Sequence, residues 1–381
     1  MSTKSLIFGD KVLLVIVLLL SLFSFFPVFS SSSYLSYVID GSSPIYYLVK
    51  HLIVIIFGFI LMLSIKLVPF KLYRGMSIIL LPIGLGLLAY TLSQGTVIGG
   101  SSASRWIDIP FVGISFQTSS LAAIIIITYS ARYLSKVELS KTKFSETIFP
   151  LWLPIFAYVF LIFPANFSSA FLIFTALVIT LCISGFPLRH LFKVFLILGF
   201  LLTTFFFTAK TFPDKFPNRI DTWFSRIENF GSNKNLDANY QIERAKMAIS
   251  NGGLIGVGAG KSIMKNHLPQ SNSDFIFAII IEEWGALGGA FIISLYILMF
   301  FRFLSITHRI DDRFGKILVS GLGVFIIIQA FTNISVATQI IPVTGQNLPL
   351  ISSGGSSAWM TCISIGMILS VSSSIKKKNG K

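Results

Sequence analysis

Hydrophobic positions in this chain come in long unbroken runs, separated by short polar or basic segments. The runs lie at 12–32, 47–65, 76–94, 113–131, 149–164, 168–186, 191–209, 274–301, 317–339 and 356–374. Most approach the roughly 20 residues that a helix needs to cross a bilayer. The two-residue alternation of a barrel strand is absent. A backbone that crosses lipid must pair its own polar groups, so helices are predicted. The run at 149–164 is short, and the "FPAN" at Phe163–Asn166 predicts a tight turn into the next run. The first run follows Lys4, Asp10 and Lys11, shows no small-residue cleavage pattern, and reads as a retained span. The expected fold is an all-α polytopic membrane protein, one membrane domain over residues 1–381. It has about ten transmembrane helices, and one long loop, 210–273, joins helices 7 and 8.

Composition agrees with the pattern. The chain is 54% hydrophobic and 12% charged, whereas soluble domains are about a quarter charged. Its net charge of +15 would suit nucleic acid, but the distribution argues against that. Alternate inter-run segments hold 19 of the 30 Lys and Arg, and the other short segments hold only Lys50 and Arg105. The remaining nine lie in 210–273, and loops of that length escape the positive-inside count. Both termini are therefore expected in the cytoplasm and 210–273 outside it. Cys182 and Cys362 fall in apolar runs, form no metal or disulfide pattern, and read as core residues.

Acids then mark one region. Of fifteen Asp and Glu, only Glu282 and Glu283 lie well inside a run, and Asp274 stands at the edge of the same run. Ionisable residues inside a membrane are costly and face a bundle interior or a wet cavity. Asp274 and Glu282 are eight residues apart, about two helical turns, and so share a face. Asp274 has two readings here, an N-cap or a functional carboxylate. The glutamates read as a bond between helices, with Arg105 or Gln117 as expected partners. Upstream, "GGLIGVGAGKS" (Gly252–Ser262) contains Gly-Lys-Ser, but Ile255 stands where a phosphate loop needs glycine. It reads as a glycine-permitted turn system whose backbone, with Lys261 and Lys265, could hold an anionic headgroup.

Four stretches together resemble the shape, elongation, division and sporulation family. They are "RWIDIPFVGISFQTSSLA" (Arg105–Ala122), "YQIERAKMAISNGGLIGVGAG" (Tyr240–Gly260), "LPQSNSDFIFAIIIEEWG" (Leu268–Gly285) and "TGQNLPLISSGGSS" (Thr344–Ser357). Their order and spacing match over nearly the whole chain, and "TGQNLP" is closer to the FtsW branch than to the RodA branch. The resemblance implies a peptidoglycan glycosyltransferase that polymerises lipid II at the outer membrane face, in cell division, by an inverting attack that expels undecaprenyl diphosphate. It implies Asp274 as the catalytic carboxylate. It implies substrate contacts from Arg105, Gln117, Tyr240 and Gln241; from Lys261, Lys265, Asn272 and Ser273; from Glu282 and Glu283; and from Ser352, Gly354, Gly355 and Ser356. The implied partners are lipid II, a class B penicillin-binding transpeptidase and other division proteins in the cytoplasmic membrane, with no nucleic acid. No cofactor is fixed, and a divalent cation is the one left open. The chain departs from the family at Thr118, Ser119 and Ser120, with Ala122 and Ala123 where a lysine is expected, so an in-membrane acid–base pair is missing. Asn272 replaces a histidine, Gln270 a glutamate and Ser353 a tyrosine. The alternatives are an elongation polymerase, a lipid II flippase and a non-catalytic scaffold.

Overall fold

The computed structural model describes residues 9–34, 43–95, 105–109, 114–138, 142–211, 236–268 and 270–378. Eleven helices run through them. They are α1 (Lys11–Tyr34), α2 (Pro44–Leu67), α3 (Phe70–Gln94), α4 (Thr118–Lys136), α5 (Phe144–Ile162) and α6 (Phe167–Ile183). They continue as α7 (Leu188–Thr211), α8 (Leu236–Gly252), α9 (Ile276–Arg309), α10 (Arg313–Ala337) and α11 (Gly355–Lys378). Ten of them coincide with the ten apolar runs; α8 is the addition. Seven are long and apolar enough to cross a membrane, and α6 is a shorter apolar helix.

Local chemistry sets the helix starts. Ser43 caps α2, with Pro44 just inside; Asn166 accepts from Ser169 N at 3.1 Å to start α6; Asp312 accepts from Gly315 N at 2.8 Å to start α10. α5 carries a π turn at Ile148–Trp152, which contains Pro150, whose carbonyl accepts from Tyr129 OH at 2.7 Å.

The centre of the bundle is α10, which packs against α4, α6, α9 and α11. α1 lies against α2 and α9, and α11 against α2. Arg302 and Asp10 form a bridge at 2.5 Å that pins the start of α1 to the far part of α9. Burial pushes the Asp10 carboxyl up, but hydrogen bonds from Arg302 and Leu13 N outweigh it and hold the group below its ordinary value.

Three expectations are corrected. The run at 113–131 is not helical throughout, because Ile114–Gln117 pairs antiparallel with Trp106–Ile109 as a hairpin and α4 starts at Thr118. The run at 274–301 becomes a helix from Ile276 to Arg309, and Gly285 breaks it with φ 69 and ψ −173. Cys182 is exposed on α6 rather than in the core; Cys362 is buried as expected. Of the loop at 210–273, residues 212–235 and 269 lie outside the described residues. The rest is α8, a glycine-rich turn and a 3₁₀ turn at Met264–Asn266, with Ala245, Ala248, Met264 and Leu268 buried in the core.

Candidate active site

Asp274 lies in the run of turns just before α9. The cap position belongs to Phe275, which makes no side-chain cap bond. Asp274 lies outside the helix, so it does not share a helical face with Glu282. The chain around it is held from three sides. Asn333 of α10, fully buried, donates from Nδ2 to Asp274 O at 2.9 Å and to Gln346 O at 2.7 Å. Ser352 donates to Ser273 O at 2.6 Å and accepts from Leu348 N at 2.8 Å. Ser353 N donates to Asn272 O at 2.9 Å. The segments 270–275 and 344–356 thus form one unit. Two turn residues within it take left-handed backbones that side chains disfavour, Gln270 at φ 56 and Leu350 at φ 66. Strain of this kind persists where surrounding contacts fix it, and it clusters at functional sites.

The carboxylate itself, nine-tenths buried, points toward Gly345, where an added Cβ would come within 3.5 Å of Oδ2. From the backbone carbonyl of Asp274, through Asn333 and Gln346, a series of polar contacts leads away. Gln346 Nε2 donates to Ser169 Oγ at 3.0 Å, Ser169 N to Asn166 Oδ1, and beside Asn166 the carbonyl of Ala165 accepts from Arg105 Nε at 2.7 Å. The hairpin returns toward α11: Gln117 N donates to Ser356 Oγ at 3.2 Å, and Ser120 Oγ to Gln117 Oε1 at 3.1 Å. Asp274, Asn272, Ser273, Ser352, Ser356, Gln117 and Arg105 are thereby joined. Gly354 belongs to the same unit, since a Cβ there would collide with Asn347 Nδ2; Gly355 opens α11 beside Val54. At the missing acid–base positions, Thr118 Oγ1 accepts from Thr91 Oγ1 at 3.0 Å, and Ala122 and Ala123 are buried.

The glutamates do other work. Glu282, fully buried, accepts from Ser262 Oγ, from Asn251 Nδ2 at 3.4 Å and from the N–H groups of Ile263 and Met264 at 3.3 Å. Glu283 accepts from Ser30 Oγ of α1, to which Lys265 Nζ also donates at 3.2 Å. Neither meets Arg105 or Gln117, so that pairing is corrected; their partners lie instead on α1, α8 and the turns after α8. Lys265 spends a second proton on Gly260 O at 2.6 Å, while Lys261 is exposed with its stem over Gly258. Tyr240 and Gln241 sit on α8: Arg244 stacks on the Tyr240 ring at 4.8 Å, and Gln339, just after α10, donates to the neighbouring Ile242 O at 2.8 Å. Sequence reasoning missed Asn333 and Gln346. Gln346 stood inside "TGQNLP"; Asn333, an amide deep in an apolar run, was itself the signal.

The model of the cell cycle protein family that joins FtsW, RodA and SpoVE matches residues 10–377. The chain belongs to that family. It is 29% identical over 372 residues to a probable peptidoglycan glycosyltransferase FtsW of Halomonas elongata, covering 96% of this chain and 90% of the relative. To the probable peptidoglycan glycosyltransferase FtsW of Idiomarina loihiensis it is 30% identical over 367 residues, 95% and 86% of the two chains. Stage V sporulation protein E of Bacillus subtilis is 29% identical over 367 residues, 95% and 96%. Among solved structures, a chain of a peptidoglycan synthase complex superposes with a TM-score of 0.76 at 21% identity, covering 96% of this chain and 98% of that one. RodA of Thermus thermophilus superposes at 0.67 and 21%, covering 96% of each chain. At that identity these two establish a common fold.

Proposed function

We propose that this family member is a peptidoglycan glycosyltransferase that polymerises lipid II in cell division. The observation that carries the assignment of the site is the placement of Asp274: a nearly buried carboxylate just before α9, its turn held by Asn333 through its own carbonyl and by Ser352 through its neighbour's. A sugar hydroxyl is a weak nucleophile and needs a base within hydrogen-bond reach. In the proposed step the 4-hydroxyl oxygen of an acceptor GlcNAc bonds to the anomeric carbon of MurNAc, the bond from that carbon to the diphosphate oxygen breaks with inversion, and Asp274 takes the proton. Unlike the departing oxygen in a glycosidase, a diphosphate leaves as an anion and needs charge neutralisation, for which Arg105, held on Ala165 O, is the cation proposed. Among the described residues no three or more His, Cys, Asp or Glu group as for a metal, and Asp274 brings one carboxylate. That set does not fit an all-protein cation cage, and no step is routed through a metal.

The proposal includes ten spans with both ends in the cytoplasm, segment 210–273 outside, a septal location and a class B transpeptidase as partner. The relatives named FtsW favour division over elongation. With the acid–base pair missing, the step proposed here assigns the base to Asp274. The test is the purified chain in lipid with lipid II and its transpeptidase, scored for polymer on a gel. Asp274→Asn keeps the size of the side chain and removes the base, so polymer should fall by about 10²–10⁴-fold while the melting temperature stays. Polymerisation at the wild-type rate in that variant would sink the assignment, and lipid translocation without polymer would make the chain a flippase. Filamentation of depleted cells is expected; rounding would assign the chain to elongation.

A further inference from the structure

The glycine-rich turn after α8 has a feature that neither its phosphate-loop look nor the proposed chemistry explains. Its two tip residues, Leu254 and Ile255, are among the most exposed apolar side chains described, at 73% and 80%. They are not remote from the bundle. The turn is docked into the break of α9: Ala286 N donates to Gly253 O at 2.9 Å, Leu287 N to Leu254 O at 3.2 Å, Val257 N to Glu282 O at 2.9 Å and Gly258 N to Glu283 O at 3.0 Å. The tip therefore lies level with Leu287.

Where Leu287 lies relative to lipid follows from α9 itself. Leu287, Phe291, Leu298 and Phe301 are exposed and recur at helical spacing, which makes one continuous apolar stripe. Its far end is marked by Arg302, held by Asp10. Leu287 is fifteen residues before Arg302, a rise of about 22 Å at 1.5 Å per residue. The hydrocarbon core is about 30 Å thick. Counted from the polar pin, Leu287 is inside the hydrocarbon of the opposite leaflet, and Leu254 and Ile255 extend its stripe.

Backbone pairing points the same way. Irregular backbone survives at membrane depth only when its polar groups are satisfied by protein. Here Gly256 N bonds Gly252 O at 2.8 Å, and the carbonyls of Gly253 and Leu254 and the N–H groups of Val257 and Gly258 are all taken by α9. Beyond the apolar tip, Lys261 is exposed on a flexible stem that can reach lipid headgroups.

We infer that Gly253–Val257 is a re-entrant lipid wedge: Leu254 and Ile255 insert into the acyl region of the outer leaflet and fix the height of α8 and the Asp274 turn at the lipid surface. The occupant is the bilayer. The competing occupant is an apolar helix of a partner protein, and the two separate by experiment.

The test uses the full chain with Cys182 and Cys362 replaced by serine, carrying Ile255→Cys or, as a water-facing comparison, Glu243→Cys. Each is labelled with an environment-sensitive fluorophore and reconstituted alone in phosphatidylethanolamine–phosphatidylglycerol vesicles. The probe at position 255 should emit at shorter wavelength than the one at 243, be quenched by lipids with a nitroxide high on the acyl chain, and be shielded from aqueous iodide several-fold relative to position 243. Equal iodide quenching at the two positions, with no quenching by nitroxide lipid, overturns the wedge. Shielding that develops only when the transpeptidase is added also overturns it and gives the face to a protein partner. Because the readout is depth rather than activity, the result stands whether or not the proposed polymerase chemistry holds.

Discussion

A single amide organises the Asp274 turn. Asn333 Nδ2 holds both Asp274 O and Gln346 O, and Asn333 is fully buried. Asn333→Ala removes both bonds and leaves two buried carbonyls short of a donor, at about 1–3 kcal/mol each. Such a loss also lets the carboxylate drift, and small misplacements of a reacting group cost about 10²-fold in rate. The expected result is a lower melting temperature together with a polymerisation defect. Asn333→Asp keeps shape but not the donor, and should show the same defect. Normal polymerisation by both variants would remove Asn333 from the site. Glu282 is a second such knot, with four donors on its carboxylate. Glu282→Gln keeps an acceptor and should be mild, whereas Glu282→Ala should lower stability by about 2–5 kcal/mol and reduce folded protein in detergent, measured by fluorescence-detected gel filtration. These acids were visible in the sequence because carboxylates stand out in an apolar run. Their partners were not, because Ser262 and Asn251 are ordinary polar residues in a loop, and nothing local indicates which buried carboxylate they meet.

At the scale of elements, the break in α9 is a joint whose tightest approaches are between backbones. Gly285 stands at φ 69 and Gly256 at φ 89, conformations that favour glycine. A Cβ at Gly285 would overlap Leu254 O, and one at Gly256 would overlap Glu283 O. Neither neighbour is a flexible side chain, so the turn and the helix would have to part. Gly256→Ala and Gly285→Ala should each abolish or sharply reduce folded protein. Gly86→Ala is the contrast: Gly86 is helical in α3 with nothing within 4 Å of its Cβ position. That change should leave the fold intact and raise stability by about 0.5–1 kcal/mol. Equal melting temperatures in all three variants would show that the joint carries no packing constraint. Hydropathy could not show this joint, since Gly285 lies inside an apolar run and a backbone angle leaves no mark on a hydrophobicity profile. The hairpin was hidden for a related reason: "ISFQ" adjoins the apolar start of α4, and a run of that length reads as helix throughout. Helix positions, by contrast, were legible wherever long apolar runs met a cap, as at Ser43, Asn166 and Asp312.

On the scale of the whole molecule, one charge pair joins distant parts of the chain. Asp10 and Arg302 meet at 2.5 Å, with Asp10 buried and Arg302 a quarter exposed. Breaking a fully buried pair costs about 3–5 kcal/mol, and the exposure of Arg302 lowers the expectation for Asp10→Asn to about 1–3 kcal/mol. The folded carboxyl is held below its ordinary value, so it binds a proton less readily folded than unfolded. Its contribution is then complete above the unfolded value, about 3.9, and is lost as pH falls through the folded one. The gap in melting temperature between wild type and Asp10→Asn should be constant from neutral pH to about 5 and close in stronger acid. A gap that ignores pH would mean that packing, not charge, carries the effect. The same pin bears on orientation. It sets residue 10 and residue 302 at one end of the bundle, the end at which the basic segments before α1 and after α2, α4, α6, α9 and α11 are expected by alternation. The segment with α8 is then expected at the other. Positive charge flanking short segments is retained in the cytoplasm, so Glu243, exposed on α8, should face the periplasmic side. In intact spheroplasts a chain without Cys182 and Cys362 but with Glu243→Cys should react with a membrane-impermeant maleimide at once and gain nothing on lysis. A cysteine at Lys316, at the opposite end by the same alternation, should react only after lysis. If the two patterns were exchanged, Asp274 would face the cytoplasm, and chemistry on an outward-facing lipid-linked sugar would be impossible at this site.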